Sequence, residues 1–372
     1  MIYMDIIIMI IAATIVLGFL VFIHEGGHFL AARLFGVRVT EFMIGFPGPS
    51  IGFTKGDTRF GVTCVPLGGY ANVCGMAPAS GSPHLKRVLG YVYRKGEVYC
   101  EDVAHDLFLS DDEAYELLEE LSDWGSIKRP KRKDKYNVYR VPAKGAFKEG
   151  QPRPVGNLQT FFEKEKSCQY SALPFWKRSV ILLAGPFMNL LWVLLAFIIV
   201  YSLMGLDLQN TTTGEVFHYN WAPLDAIYMG VNYLGMVLAA IASLFNPATA
   251  AQTISQSTSI VGIAVLSKGA FEAGFQNFLF FSAVISASLG FMNMLPIPPL
   301  DGGRFVVEIF QKVSRKIVSV RALGYMSMVG FCALCGPICC YANQDVQRFV
   351  LGNWANLCQI QREIPMVIRM LL

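Results

Sequence analysis

From Ile6 to Ile23 the chain runs without a charged residue and then meets His24, Glu25 and His28. A bilayer core calls for about 20 apolar residues in a helix, with about 17 as the lower limit. The run therefore reads as a membrane span that ends on three ionisable side chains. Val180 to Met204, Ala226 to Phe245, Phe278 to Leu300 and Ala322 to Ala342 are four further runs of suitable length. Only 16% of the 372 residues are charged and 53% are hydrophobic, whereas soluble chains carry about 25% charged residues. Lipid should therefore solvate most of the chain. No Lys or Arg precedes the first run, only Asp5. The basic flank of a signal peptide is missing, and the run reads as a retained span.

Basic residues set the orientation. Of 31 Lys and Arg, 22 lie between Arg33 and Arg178, and five more between Arg304 and Arg321. The positive-inside rule puts both segments in the cytoplasm and the N-terminus outside. The alternation closes with four spans if Ala226 to Phe245 is re-entrant or interfacial, as Asp225 and Asn232 at its start allow. The nine cysteines form no disulfide framework, and Cys332, Cys335, Cys339 and Cys340 read as small apolar helix residues.

The expected fold is an α-helical polytopic membrane protein of about four transmembrane helices plus a re-entrant or interfacial helix. It carries a small membrane-associated β element and a small α+β soluble insert. Residues 1–75 hold the first span and a β hairpin, in which Thr58 to Val65 alternates as a strand does. Residues 76–150 form the insert. Helices are expected at His84 to Lys95 and Glu101 to Leu107, and a third is opened by the capping box at Ser110 and closed by Gly125. A basic turn, Lys128 to Lys135, then leads to a strand at Tyr136 to Val141. That order is winged-helix-like, yet the third helix carries Asp111, Asp112, Glu113, Glu116, Glu119, Glu120 and Asp123, which would repel phosphate. A protein partner at residues 84–142 is expected in place of DNA. Residues 151–178 read as a connector, 179–345 as the remaining membrane core, and 346–372 as an amphipathic tail on the membrane surface.

His24-Glu25-Gly26-Gly27-His28 is the motif with chemistry. Residues four apart share a helix face, so both imidazoles can reach one metal ion, with Glu25 beside them as general base. This is the pattern of zinc metalloproteases, and it suits Zn²⁺. Ionisable groups at membrane depth are costly, and a shared cation answers that cost. Gly26 and Gly27 leave room beside the metal for a substrate backbone. Asp301, in Asn293-Met294-Leu295-Pro296-Ile297-Pro298-Pro299-Leu300-Asp301-Gly302-Gly303, is the candidate third ligand. By spacing alone, the same stretch also reads as a helix stop before a loop. Asn189, in Gly185-Pro186-Phe187-Met188-Asn189, and Asn293 are each either substrate contacts or interhelical glue. The Phe60 to Cys64 strand, with Phe60 and Val62, could offer an edge to an unwound substrate.

Taken together these motifs resemble the site-2 protease family. The resemblance rests on His24-Glu25-x-x-His28, Ile44-Gly45-Phe46, Pro66-Leu67-Gly68-Gly69-Tyr70, Leu183-Ala184-Gly185-Pro186-x-x-Asn189 and the Asn293 to Gly303 stretch. It covers about residues 5–75 and 172–340. It implies His24, His28 and Asp301 as zinc ligands and Glu25 as base. Asn189 and Asn293 would contact substrate, and the strand with Phe60, Val62, Gly68 and Gly69 would present it. The implied activity is cleavage of a transmembrane protein, such as an anti-sigma factor already trimmed by another protease. The implied location is a bacterial inner membrane with the active site toward the cytoplasm. Two departures stand out: only Gly205 to Ala222 occupies the place of the family's PDZ domains, and the insert is extra. A metal transporter or sensor would use the same ligands without needing Glu25, and a helix-binding scaffold would need neither.

Overall fold

A computed structural model describes residues 2–64, 68–77, 81–131, 134, 137–145, 147–209, 215–246, 248–249, 260–316, 318–319 and 321–332. Pro66 and Leu67, Cys335, Cys339 and Cys340, the end of the Ala322 to Ala342 run and the expected tail 346–372 lie outside those residues. The chain divides into two units: Met1–His24, Gly185–Arg304 and Tyr325–Leu372 in one, Glu25–Ala184 and Phe305–Gly324 in the other.

The first helix, α1 (Ile2–Leu34), is unbroken. At 1.5 Å per residue it is about 50 Å long, well over the roughly 30 Å of a hydrocarbon core. It continues for six residues past His28 despite Gly26 and Gly27. Ile7, Ile10, Ile11, Ile15 and Phe22 are exposed along it, as suits a helix solvated by lipid.

Four strands follow: β1 (Val39–Ile44), β2 (Ser50–Lys55), β3 (Thr58–Thr63) and β4 (Gly69–Val73), in the order β2-β3-β1-β4. β1 runs parallel to β3 and antiparallel to β4. Half of the Gly-rich stretch 45–56 is thus strand, Ser50–Lys55. Its glycines serve close approach: a Cβ on Gly52 would lie 2.1 Å from the Phe60 carbonyl oxygen, and Gly52 sits opposite Gly61.

The insert forms α2 (Leu85–Lys95), β5 (Glu97–Tyr99), α3 (Cys100–Leu107), α4 (Asp111–Asp123) and β6 (Val138–Arg140), with β5 and β6 antiparallel. Ser110 caps α4, its hydroxyl accepting from the Glu113 N–H at 3.2 Å. Val88, Leu89, Val92, Leu117, Leu118 and Leu121 fill the core. The expected bare connector instead contains α5 (Leu158–Ser167), whose Phe161 and Phe162 pack against that core. Leu158, Phe161, Phe162 and Glu165 fall on one helix face, a signal hidden by the polar residues around them.

A buried ion pair ties this module to the sheet. Arg38, just before β1, donates to both carboxylate oxygens of Glu165, at 2.7 and 3.1 Å. It also donates to the Trp124 carbonyl at 3.2 Å. Ser126 donates to Glu165 at 2.6 Å. Burial alone would raise the Glu165 carboxyl, but the hydrogen bond and charge of Arg38 hold it below its ordinary value. Burial pushes the neighbouring Cys74 thiol up to about 12, so it stays protonated and inert.

Next come α6 (Phe175–Phe197), which runs on as a wider π turn at Ile198–Met204, the hairpin β7 (Leu206–Gln209) and β8 (Val216–Tyr219), and α7 (Pro223–Ser243). They are followed by α8 (Ile260–Glu272), α9 (Phe275–Asn293) and α10 (Asp301–Ser314), and residues 321–332 are also helical. Four of these helices are long and apolar enough to cross a membrane: Met4–Leu34, Phe175–Met204, Pro223–Ser243 and Phe275–Asn293. Within the Ala226 to Phe245 run, the residues up to Ser243 form one helix long and apolar enough to span, where the charge alternation calls for a re-entrant or interfacial one. Val193, Phe197, Tyr201, Trp221, Leu279 and Ala283 form one core here, and Val16, Leu20, Ala270 and Phe281 another. Gln276 donates to the Val200 and Gly205 carbonyls at 3.2 and 2.5 Å, satisfying acceptors that the end of a helix leaves open.

Arg38→Met strands a buried carboxylate and should cost about 3–5 kcal/mol. Adding Glu165→Met should restore much of that loss, read as thermal unfolding in detergent. Because folding lowers the Glu165 value, its stabilisation is present above its ordinary 4.5 and is lost as pH falls through the lowered value. Glu165→Gln should flatten that part of the acid limb.

Candidate metal centre

His24 and His28 stand one turn apart on the unbroken α1, on one face. Among the described residues one group of three metal-capable side chains offers ligand atoms within 4.8 Å of one another: His24, His28 and Asp301. His24 Nε2 lies 3.1 Å from Asp301 Oδ2, with side-chain exposures of 10% and 20%. An imidazole and a carboxylate withdrawn from water among apolar helices need a partner. Two imidazoles and one carboxylate also form a donor set that fits a catalytic zinc, leaving a fourth position open.

The neighbours orient these groups. His28 Nδ1 lies 2.8 Å from the Ile181 carbonyl, a hydrogen bond that leaves Nε2 as the ring nitrogen able to meet a metal. Asn189 Nδ2 lies 3.1 Å from His24 Nδ1. Asn189 is held in turn by α9, where Ser286 Oγ donates to its main-chain oxygen at 2.9 Å. Trp192 Nε1 donates to Ser282 Oγ at 3.1 Å. A Cβ on Gly290 would lie 2.9 Å from Leu190 and 3.2 Å from the Pro186 carbonyl. Ser282, Ser286 and Gly290 are spaced by four, the small-residue repeat that lets membrane helices approach closely. That repeat was readable in the sequence but masked by the surrounding apolar run.

Asp301 does not stop a helix; it begins α10. The Pro-rich loop before it folds back on that first turn. A Cβ on Gly302 would lie 2.2 Å from the Met294 carbonyl oxygen, and one on Gly303 would lie 2.4 Å from Pro298 N. Both glycines are therefore required by contact. Further along α10, Glu308 accepts from Tyr170 at 3.2 Å and pairs with Arg178 at 3.0 Å, fixing the helix that carries the aspartate. Asn293 is half-buried at the end of α9.

Glu25 is half-buried, and its Oε2 accepts from the Ala71 main-chain N–H at 2.9 Å. This overturns the expected edge at Phe60 to Cys64. β3 pairs with β1 on one side and β2 on the other, so its backbone groups are already used. Phe60 instead joins an aromatic cluster with Phe29, Phe42 and Phe53, while Val62 is exposed. The sheet's outer strands are β2 and β4. β4 begins at Gly69, directly after Gly68, and is the strand that meets Glu25.

Helices of membrane-spanning length carrying an H-E-x-x-H pair beside a partly buried aspartate define a membrane-embedded metallopeptidase. Comparison with known proteins agrees. The chain matches Peptidase family M50 over residues 12–336, and it belongs to that family. It is similar to the zinc metalloprotease RasP of Oceanobacillus iheyensis, at 23% identity over 449 positions, covering 92% of this chain and 99% of the relative. RasP of Geobacillus kaustophilus is 23% identical over 421 positions, covering 92% and 98%. The regulator of sigma-W protease RasP of Bacillus subtilis is 21% identical over 431, covering 92% and 99%. Each alignment is longer than the 372 residues of this chain, so each relative carries segments that this chain lacks. The chain is a site-2-type zinc metalloprotease, and its apolar helices suit a bacterial inner membrane.

Gly26 has open space where a Cβ would go. Gly26→Ala should fold at least as stably, since Ala favours a helix by about 1 kcal/mol over Gly. Gly302→Ala, forced against Met294, should lower both the unfolding temperature and the zinc content of the purified protein. Equal tolerance at the two positions would contradict the loop packing.

Proposed function

We propose that His24, His28 and Asp301 hold one zinc ion, and that Glu25 is the general base for hydrolysing a peptide bond in or near a transmembrane segment. The observation that carries this reading is the His24–Asp301 contact at 3.1 Å, one residue from a carboxylate tied to a sheet edge. When bound, zinc supplies Lewis acidity, polarising the scissile carbonyl and easing deprotonation of water.

The chain's own groups then divide the work. An unwound substrate segment adds to the outer edge of β4, as extended peptides add to sheets elsewhere. Its carbonyl takes the Ala71 N–H that Glu25 occupies in the free protein. Glu25 is thereby released to accept a proton from water. Water oxygen bonds to the scissile carbon, the C–N bond breaks, and Glu25 passes its proton to the leaving nitrogen. Gly68 and Gly69, at the head of β4, keep side chains away from the incoming strand. Asn293 is the remaining candidate for a substrate contact.

A single-pass membrane protein pre-cut by another protease fits this site. An anti-sigma factor is the natural candidate, in keeping with the name of the Bacillus subtilis relative. The distribution of Lys and Arg supports an N-terminus outside and a site toward the cytoplasm. The short β7–β8 hairpin stands where a PDZ domain would be expected, and the winged-helix-like module supplies regulation through a protein partner. DNA does not suit that module: Lys128 and Lys131 pair with Glu149, Arg129 with Glu119 and Arg140 with Asp134.

In cells, Glu25→Gln should abolish release of membrane-protein fragments seen with the intact protein, at equal expression and equal bound zinc. Equal fragments from both would remove Glu25 as base. For the module, deleting residues 84–142 would bare Phe161 and Phe162, so a point change is cleaner. Phe108 is 93% exposed. Phe108→Ser should alter which substrates are cut while zinc content and unfolding temperature hold. Unchanged cleavage of every substrate would remove that face of the module from regulation.

A further inference from the structure

Asn189 lies in the Gly-Pro-x-x-Asn turn of α6, where a contact to substrate is the expected role. Its surroundings fit another role. Asn189 has 0% exposure, and nothing outside the protein reaches it. One end of its amide faces His24 Nδ1 at 3.1 Å. The other end, Oδ1, is buried without a hydrogen-bond partner. No second group therefore holds the amide in one sense, and the two senses have nearly the same shape. The ring nitrogen beside it decides which end turns inward.

A metal needs the lone pair of His24 Nε2, the atom that faces Asp301. That lone pair is free in the neutral ring only when the proton sits on Nδ1. An Nδ1–H needs an acceptor, and the amide oxygen of Asn189 is the group in place to accept it. His28 meets the same requirement with the main-chain carbonyl of Ile181 at 2.8 Å. Each imidazole thus has a carbonyl-type oxygen available behind it, one from the backbone of α6 and one from a side chain a little over two turns further along. Ser286 holds the Asn189 main chain from α9, so the amide sits on a braced stretch of helix.

We propose that Asn189 is a positioning residue: its amide oxygen fixes the tautomer and direction of His24 and so sets how tightly the centre holds zinc. This rests on the zinc reading above. The experiment is a competition titration of zinc against a chromophoric chelator, on full-length protein in detergent. The wild type is compared with Asn189→Ala, Asn189→Asp and His24→Ala, and thermal unfolding is recorded for each. Asn189→Ala should weaken zinc binding by about 10–100-fold, the usual effect of removing a partner behind a metal-bound histidine. Asn189→Asp keeps an acceptor and should bind at least as tightly as the wild type. Wild-type zinc affinity in Asn189→Ala, with fragment release lost, would overturn the proposal and return Asn189 to the substrate. Loss in Asn189→Asp equal to that in Asn189→Ala would also overturn it. A wild type that binds no more zinc than His24→Ala would instead overturn the metal centre itself.

Discussion

Ionisable side chains among apolar helices must find partners within the protein, because lipid offers none. That constraint organises the helices around His24. Its ring meets Asp301 on one side and Asn189 on the other. Each partner is then secured by packing away from His24. Asp301 is delivered by a loop so close to α10 that two glycines are required. Asn189 is delivered by a helix pressed against the small residues of α9. The price of an unpartnered polar group in lipid explains why such ordinary residues as Ser286 and Gly290 carry part of the design.

A second chain of contacts leads away from Glu25. The glutamate is bonded to β4, β4 pairs with β1, and β1 follows Arg38, which is locked to Glu165 and the end of α4. The insert is therefore no loose appendage on a loop. Its core is shared with α5, and its last helix is joined by buried hydrogen bonds to the sheet that touches Glu25.

Much of this was legible in the residues. Long apolar runs announced α1, α6 and α9, because a span needs length, whereas the run at α7 was read as a re-entrant or interfacial helix. The His24 to His28 spacing is a local property of a helix. The capping box at Ser110 marked the start of α4. What stayed hidden depended on distant partners. β2 was not picked out as a strand because its Gly52 is explained only by Gly61 across the sheet. The edge assigned to Phe60 and Val62 failed because strand order is not written in any one strand. α5 was lost because its apolar face is narrow and flanked by lysines. α8, with Lys268 and Glu272 at its end, is too short to announce a span.

The zinc X-ray absorption spectrum of the purified protein tests the centre most directly. Two imidazoles and oxygen ligands are expected, with Zn–N near 2.0–2.1 Å and no sulfur. A sulfur shell near 2.3 Å, drawn from the nine cysteines, would contradict a centre built on His24, His28 and Asp301.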